Sequence, residues 1–549
     1  MRVWMVTFEA KPFAKVGGLG EVPPNLAASL VKRGVEAVII MPSHGFPKEM
    51  LGEVEGVIGL RGGVEALVTS WRGVKFFLLY GGVLNERGVY DPAYMFDKVA
   101  SLAKAVRSIV MGEGEMGVEI PDVIHFHDWH SVYSLLHVKL ALEEIGEKAA
   151  LVYHIHLLTR EKVTAESLSK AGIDLSAEHY VTLRGERRRV TVEEALKESR
   201  GFAERLGAIE SDIFVTVSNA YLRVDRDGVL NTLGWDLKDK GSVIYNGTDW
   251  TYGAALGEVF ERHKSLAAKV PGGVPRVELR RYLLTEALGS MPEGEPIVKD
   301  REIRKRLEDL YAPPFKPDGK VDPFSSDGPL IIMTGRVARQ KGVDVLVDAI
   351  PLVLRRVGDV KFLLLLLPVW GGEGYFEPLV NACRDYPENV RVVFGLAPSI
   401  YKLAHVSADV FAAPSRWEPF GIMAIEAMST GVPVVASRVG GLSEIVLDVR
   451  EYGERGTGML VEPGDPYELA WALINMVSVM EVANTGRLTR ASKILDEELR
   501  KAVKRDPSLG TKVREAAMRR VKENFTWGKA AEMALKVYEQ ALRVTRGSA

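Results

Sequence analysis

The sequence predicts an α/β protein built from two doubly wound domains that face each other across a cleft, and three observations carry that reading. Short β-branched runs alternate with longer helical patterns from the first residue onward, the rhythm of a parallel sheet covered by helices on both faces. The rhythm stops near residue 251 and restarts near residue 328. The chain of 549 residues is also longer than one hydrophobic core comfortably serves.

In the first half, strands are expected at Val3 to Phe8, Ala37 to Met41, Val123 to His127, Ala150 to His154, Ile213 to Ser218 and Val243 to Asn246. The second series is expected at Leu330 to Thr334, Lys361 to Pro368, Arg391 to Gly395, Val410 to Pro414, Pro433 to Ser437 and Gly458 to Val461. Between them, residues 252–327 carry Pro and Gly clusters, Pro271-Gly-Gly-Val-Pro275 and Pro313-Pro314-Phe-Lys-Pro317, mixed with charged helical stretches. Lacking core strands, this stretch reads as a linker or surface insertion. The division is therefore 1–251, 252–327 and 328–515, with 516–549 as a C-terminal segment. Open α/β sheets bind ligands beyond the carboxyl ends of their strands, so the cleft is where chemistry is expected.

Composition narrows the function classes. With 71 basic against 73 acidic residues the net charge is -2, and the runs Arg187-Arg188-Arg189 and Arg280-Arg281 are too short for a phosphate-backbone stripe, so no nucleic-acid partner is expected. The longest apolar stretch, Phe362 to Trp370, falls far short of the roughly 20 residues a membrane helix needs and reads as a buried strand. The N-terminus is interrupted too soon by Glu9 and Lys11 to be a signal peptide. The one cysteine, Cys383, has no internal disulfide partner and suits a reducing cytoplasm. Glutamine only at 340 and 540, among abundant Glu, Lys and Arg, points to a thermophilic source.

The first strand runs into Glu9-Ala-Lys-Pro-Phe-Ala-Lys15-Val-Gly17-Gly18-Leu-Gly20-Glu21, ahead of an apolar helix over Leu26 to Leu30. Glycines at a helix start let backbone N–H groups close around an anion, and Lys15 adds a point charge; a plain tight turn is the alternative. The spacing does not fit G-x-G-x-x-G, which weighs against a dinucleotide-dependent oxidoreductase. The third strand ends in His125-Phe-His127-Asp128-Trp129-His130. Zinc is one reading, but successive positions at a strand end point to opposite faces and the spacing matches no standard zinc pattern. A polar, sugar-binding edge without a catalytic metal is the expectation. Tyr153-His154-Ile155-His156 brings a further histidine to the rim, or to a satisfied place in the core.

In the second half, Gly335-Arg336-Val-Ala-Arg339-Gln340-Lys341-Gly342 joins a buried strand to an apolar helix pattern over Val343 to Leu354. Arg336 and Lys341 at such a turn can converge on one diphosphate and stabilise its departure without magnesium; a solvated turn is the bland alternative. The strongest signal is Pro414-Ser415-Arg416-Trp417-Glu418-Pro419-Phe420-Gly421-Ile-Met-Ala-Ile-Glu426. Glu418 precedes a helix and Glu426 sits about one turn inside it among apolar neighbours, where burial of an unpaired carboxylate is costly and a ligand hydroxyl pair is a natural partner. Gly440-Gly441-Leu-Ser443-Glu444 opens a further helix with free backbone donors.

Together these segments resemble glycogen and starch synthases, and more widely the retaining glycosyltransferases of GT-B architecture, over most of the chain outside 252–327. The family's K-x-G-G-L stands at Lys15 to Leu19, its H-D-W at His127 to Trp129, its strand-end His at His156, and its N-G-x-D at Asn246 to Asp249. Its R-x-x-x-x-K-G is Arg336 to Gly342 and its E-x7-E is Glu418 to Glu426, while Phe525-Thr-Trp527 resembles the segment that crosses back to the first domain. The resemblance implies ADP-glucose or UDP-glucose as donor, an α-1,4-glucan as acceptor, and no cofactor. It implies that Arg336 and Lys341 hold the donor diphosphate, Glu426 the ribose and Glu418 the transferred glucose. Phe420, Gly421, Lys15, Gly17, Gly18 and His156 complete the donor pocket; Glu9, Glu21, His127, Asp128, Trp129 and Asn246 serve the acceptor and sugar side. Glu21 replaces an Asp, Leu157 an Asn, and Leu396 stands where an aromatic often meets the nucleobase. A small-acceptor synthase of sucrose or trehalose type, a silent glucan-binding protein, and a metal-dependent transferase using Asp225-Arg-Asp227 are the rival readings, and a homo-oligomer is left open.

Overall fold

The computed structural model describes residues 1–112, 118–269 and 275–547; of the predicted Pro271-Gly-Gly-Val-Pro275 cluster, residues 271–274 lie outside that set. The described chain forms two compact units, Met1–Gly247 with Trp527–Ala549, and Thr248–Thr526.

In the first unit the strands are Arg2–Val6 (β1), Glu36–Pro42 (β2), Val54–Leu60 (β3), Val64–Trp71 (β4), Val74–Tyr80 (β5), Val123–His127 (β6) and Ala150–Ile155 (β7). A separate hairpin, Glu178–Leu183 (β8) with Glu186–Thr191 (β9), is followed by Ile213–Thr216 (β10) and Gly241–Val243 (β11). Nine strands make one sheet in the order β11-β10-β7-β6-β1-β2-β5-β4-β3. It is parallel except where β4 pairs with β3 and β5. β1 and β6 are neighbours although far apart in sequence, so the order reverses between them; a doubly wound sheet opens its ligand crevice at that point. The glycine segment follows β1 and His127-Asp128-Trp129 closes β6.

The second unit is the simpler sheet. Its strands are Leu330–Val337 (β12), Lys361–Pro368 (β13), Val390–Phe394 (β14), Val410–Ala413 (β15), Val434–Ser437 (β16) and Gly458–Val461 (β17). All pairs are parallel, in the order β14-β13-β12-β15-β16-β17. Counted from the first, this is the 3-2-1-4-5-6 order of dinucleotide-binding sheets. Here the reversal lies between β12 and β15, the strands followed by Lys341 and Glu418. β12, β13 and β15 are buried over most of their length, which is why their sequences read as near-continuous apolar runs.

Among the described residues, 252–327 contribute no strand to either sheet. They form the helices Tyr252–Arg262, Lys264–Lys269, Arg276–Thr285 and Arg301–Glu308 and belong to the second unit; the first and third of these helices pack on the helix Pro398–Ser407. A linker is thus not what this stretch is. The C-terminal crossing begins later than residue 516: helix Leu509–Asn524 stays with the second unit, and only Trp527–Gly547 lies in the first, against helix Val22–Val31 and β7. No helix among the described residues is long and apolar enough to cross a membrane.

Candidate active site

The glycine segment after β1 does not hold its donors free. The Glu9 carboxylate, 1% exposed, accepts from the backbone N–H of Val16 and of Gly17, the latter at 3.2 Å, and from Tyr90 Oη at 2.8 Å. The expected anion cradle is therefore closed on one of the chain's own side chains. Room for that carboxylate is what the glycines supply, since a Cβ on Gly20 falls 3.2 Å from Glu9 Oε2 and 3.1 Å from Lys15 Cα. Lys15 and Lys11 both pair with Glu21. Burial alone raises the Glu21 carboxyl, but the two ammonium groups outweigh it and hold it below the usual range. Gly18 meets nothing within 4 Å of a built Cβ.

His125, His127, His154 and His156 lie on one face of the sheet. Positions two apart on a strand share a face, and the parallel register sets His127 opposite His154; the expectation that this strand end splits its polar groups between faces fails on that periodicity. The rings stack, with His125 to His154 at 5.3 Å and His154 to His156 at 3.9 Å between centroids. Burial pushes His125 and His156 down to about 3 and His127 and His154 well below the ordinary imidazole value, so the cluster is neutral. His154 is not a satisfied core histidine: among the described residues neither ring nitrogen has a partner.

Asp128 ties the H-D-W turn to the end of β7. Its Oδ1 accepts from the backbone N–H of His156 at 2.7 Å and of Leu157 at 3.3 Å, and its φ of 58° is unusual for a residue other than glycine. Burial raises its carboxyl to about 7 despite those two donors. Asp128 is in this geometry a positioning residue for His156, whose Nε2 meets His127 Nδ1 at 2.9 Å. Trp129 is half-buried with its ring 4.2 Å from that of His130. Asn246 is buried, and its Oδ1 lacks a partner among the described residues.

In the second unit, the turns after β12 and β15 are stitched together. Lys341 Nζ pairs with Glu418 Oε2, with side chains only 9% and 11% exposed. Arg416 N–H donates to Gln340 O at 2.8 Å, Gln340 Nε2 donates to Trp417 O at 3.2 Å, and Arg416 grips Asp344 through both terminal nitrogens. Gly342 makes the fit: its φ is 64°, and a Cβ there falls 2.0 Å from Pro414 O. Gly342→Ala is expected to cost at least about 1–3 kcal/mol and to displace Lys341, read as a lower unfolding midpoint together with lower turnover; native values for both would refute this account of the turn.

Arg336 is exposed at the end of β12, with Nη2 donating to Gln340 Oε1 at 3.3 Å. Glu426, on helix Ile422–Ser429, is half-buried rather than enclosed, and accepts from Tyr401 Oη at 3.2 Å; the more buried carboxylate is Glu418. Phe420 is 2% exposed and lies against Phe525. A Cβ on Gly421 falls 2.8 Å from Leu442 Cδ2, and Gly441 N–H donates to Glu418 O at 3.0 Å. That donor of the Gly440-Gly441 turn therefore fixes the Glu418 backbone and is not free for a ligand.

Comparison with known proteins agrees with this layout. Residues 2–227 match the family model described as the starch synthase catalytic domain, and residues 328–478 that of glycosyl transferases group 1. Over most of its length the chain is similar to glycogen and starch synthases, a group of glycosyltransferases. A glycogen synthase of Exiguobacterium sibiricum is 25% identical over 475 residues, covering 83% of this chain and 87% of its own. One from Thermus thermophilus is 27% identical over 482 residues, covering 87% and 92%. The catalytic domain of starch synthase IV from Arabidopsis thaliana, solved bound to ADP and acarbose, has the same fold, with a TM-score of 0.67 at 20% identity over 98% of this chain and 99% of that one.

Within this glycosyltransferase, sequence reasoning passed over Tyr90, Gln340, Arg416 with Asp344, and Tyr401. Each acts through a partner far away in sequence, although Gln340 and Arg416 lie inside the quoted motifs. Asp227 is at the surface, 3.7 Å from Arg160.

Proposed function

We propose that this glycosyltransferase moves glucose from ADP-glucose or UDP-glucose to the 4-hydroxyl at the non-reducing end of an α-1,4-glucan, with retention of configuration. The observation that carries the reading is the Lys341–Glu418 pair, held almost dry beyond the two strands that flank the reversal of the second sheet. An ammonium has three donors, so Lys341 can hold Glu418 and still receive a diphosphate oxygen, while Arg336 swings from Gln340 to take a second. Charge developing on the departing nucleoside diphosphate is then met by two cations without a metal. Glu426, oriented by Tyr401, takes the ribose hydroxyls; Glu418 takes the glucose. On the first unit, Asp128 positions His156, and Glu9, Lys15 and Glu21 shape the glycine segment.

Retention follows in this scheme from the acceptor 4-hydroxyl approaching the face that the phosphate leaves: the C1–O bond to phosphate breaks, the C1–O bond to the acceptor forms, and the hydroxyl proton passes to the leaving phosphate. ADP in the starch synthase IV structure and the glycogen synthase relatives support the donor and acceptor classes. A cytoplasmic location is proposed with them, since a single cysteine leaves no internal disulfide and suits a reducing compartment. The test is nucleoside diphosphate release from both donors, with and without glycogen, in EDTA. Glucan-dependent release that persists in EDTA, with an α-anomeric product linkage by proton NMR, is expected. Release indifferent to glucan, or lost in EDTA and restored by magnesium, would overturn the proposal.

A further inference from the structure

The histidine cluster beneath the H-D-W turn has more ligating capacity than sugar contacts use. His125, His127 and His154 are fully buried, at 0% exposure each, and one ring nitrogen from each lies within 4.8 Å of the others. Among the described residues, Nε2 of His125, Nε2 of His127 and both nitrogens of His154 have no hydrogen-bond partner. Buried polar atoms are nearly always satisfied, and three adjacent imidazoles that all fail the rule together share a missing partner. Hydrogen-bond donation among the rings cannot supply it, because the only link within the cluster runs from His127 to His156.

The nitrogens that are bonded strengthen the case. His125 Nδ1 meets Tyr538 Oη at 2.8 Å, and His127 Nδ1 meets His156 Nε2 at 2.9 Å. Metal-binding histidines characteristically give their second nitrogen to an outer partner, which fixes the ring and leaves the first nitrogen for the ion. Both rings show that division, with Nε2 free in each.

We propose that His125, His127 and His154 bind one Zn²⁺ ion within the first unit, through Nε2 of the first two and one ring nitrogen of the third, with a water in the fourth position. Zinc–imidazole bonds of about 2.0–2.1 Å place ligand nitrogens roughly 3.3 Å apart in a tetrahedron, which modest ring rotations reach from the spread observed. The ion would bind β6 to β7, and through Tyr538 would bind the C-terminal helix Trp527–Gly547 to both. Its place is structural: it lies beside the proposed sugar contacts, and no step of glucose transfer passes through it.

The experiment is metal analysis of the untagged full chain, expressed with added zinc, dialysed, then unfolded in guanidinium and assayed for released Zn²⁺. About one equivalent per chain is expected, falling at least tenfold in His154→Phe and in His125→Phe. Because those variants change the core, Tyr538→Phe serves as a second arm: it removes only the hydroxyl that orients His125 and is expected to weaken zinc retention against a competing chelator by about 10–100-fold. Cobalt in place of zinc should give the intense visible absorption of a four-coordinate site. A native chain with only trace zinc, or zinc retained equally by native, His154→Phe and Tyr538→Phe proteins, would overturn the assignment.

Discussion

Lys341→Ala and Glu418→Ala are each expected to lower kcat for glucan-dependent transfer by about 10²–10³-fold, the loss typical of removing one preorganised group aimed at developing charge. The two substitutions should also destabilise the second unit, because each leaves the opposite charge buried without its partner, at about 3–5 kcal/mol. Activity and stability can be separated. Lys341→Met with Glu418→Leu replaces a buried ion pair by apolar groups of similar size, an exchange that is often neutral or stabilising. The double variant should therefore recover much of the unfolding midpoint lost in either single variant while turnover stays at the lower level. Recovery of turnover together with stability would reduce the pair to a packing feature. Loss of stability in both singles without loss of kcat would have the same meaning.

That pair also shows how far the sequence could be read. Strands buried on both faces announce themselves as apolar runs, so β12, β13 and β15 were placed within a few residues, and the motifs at their ends followed. Contacts between motifs were not legible. Arg336 and Lys341 looked equivalent as two cations at one turn, but strand geometry leaves Arg336 exposed while Gly342, with its positive φ, folds Lys341 inward under Pro414. Glu426 looked more enclosed than Glu418 because its neighbours in sequence are apolar. Its helix turns that side chain to the half-buried edge, where Tyr401 meets it.

Four of the strands that the sequence did not announce, β4, β5, β8 and β9, have a common cause. β4 passes to β5 through Arg72-Gly73 and β8 to β9 through Arg184-Gly185, with φ of 51° and 77° in the first turn and 53° and 78° in the second. Two-residue hairpins of type I′ need positive φ at both positions and are usually marked by Asn-Gly or Asp-Gly. Arginine in that place hides the signal. The histidine cluster was hidden differently: spacing along one strand was weighed, whereas the cluster is made by register between two.

Asp409→Ala is expected to be among the most destabilising substitutions in the second unit, at about 3–5 kcal/mol for an opened buried ion network. Asp409 stands just before β15, at the end of the sheet away from Lys341 and Glu418. One carboxylate oxygen accepts from Arg280 at 2.6 Å and from the backbone N–H of Leu330 at 2.8 Å; the other accepts from Arg514 at 3.1 Å and Asn484 at 2.7 Å. Arg280 also grips Asp327 and Glu481. The network thus fastens the helix Arg276–Thr285, the C-terminal end of residues 252–327 and the helix that precedes the crossing to the base of the sheet.

Its pH dependence has a definite sign. Burial raises the Asp409 carboxyl, but Arg280 and Arg514 outweigh it and hold its value below 3.8. A carboxylate depressed in the folded state contributes stability fully above its unfolded value and loses it as pH falls through the folded one. The gap in unfolding midpoint between the native chain and Asp409→Asn should therefore be widest near neutral pH and narrow below about pH 4. Glu481 runs the other way. Burial and then Asp409 raise its carboxyl despite Arg280, so its folded state favours the proton, and ionising it as pH rises costs stability. Glu481→Gln should accordingly cost little at neutral pH while Asp409→Asn costs much. Thermal unfolding of the three proteins between pH 3 and 8 reads both differences, and an Asp409→Asn gap that widens toward acid would contradict the network's assigned charges.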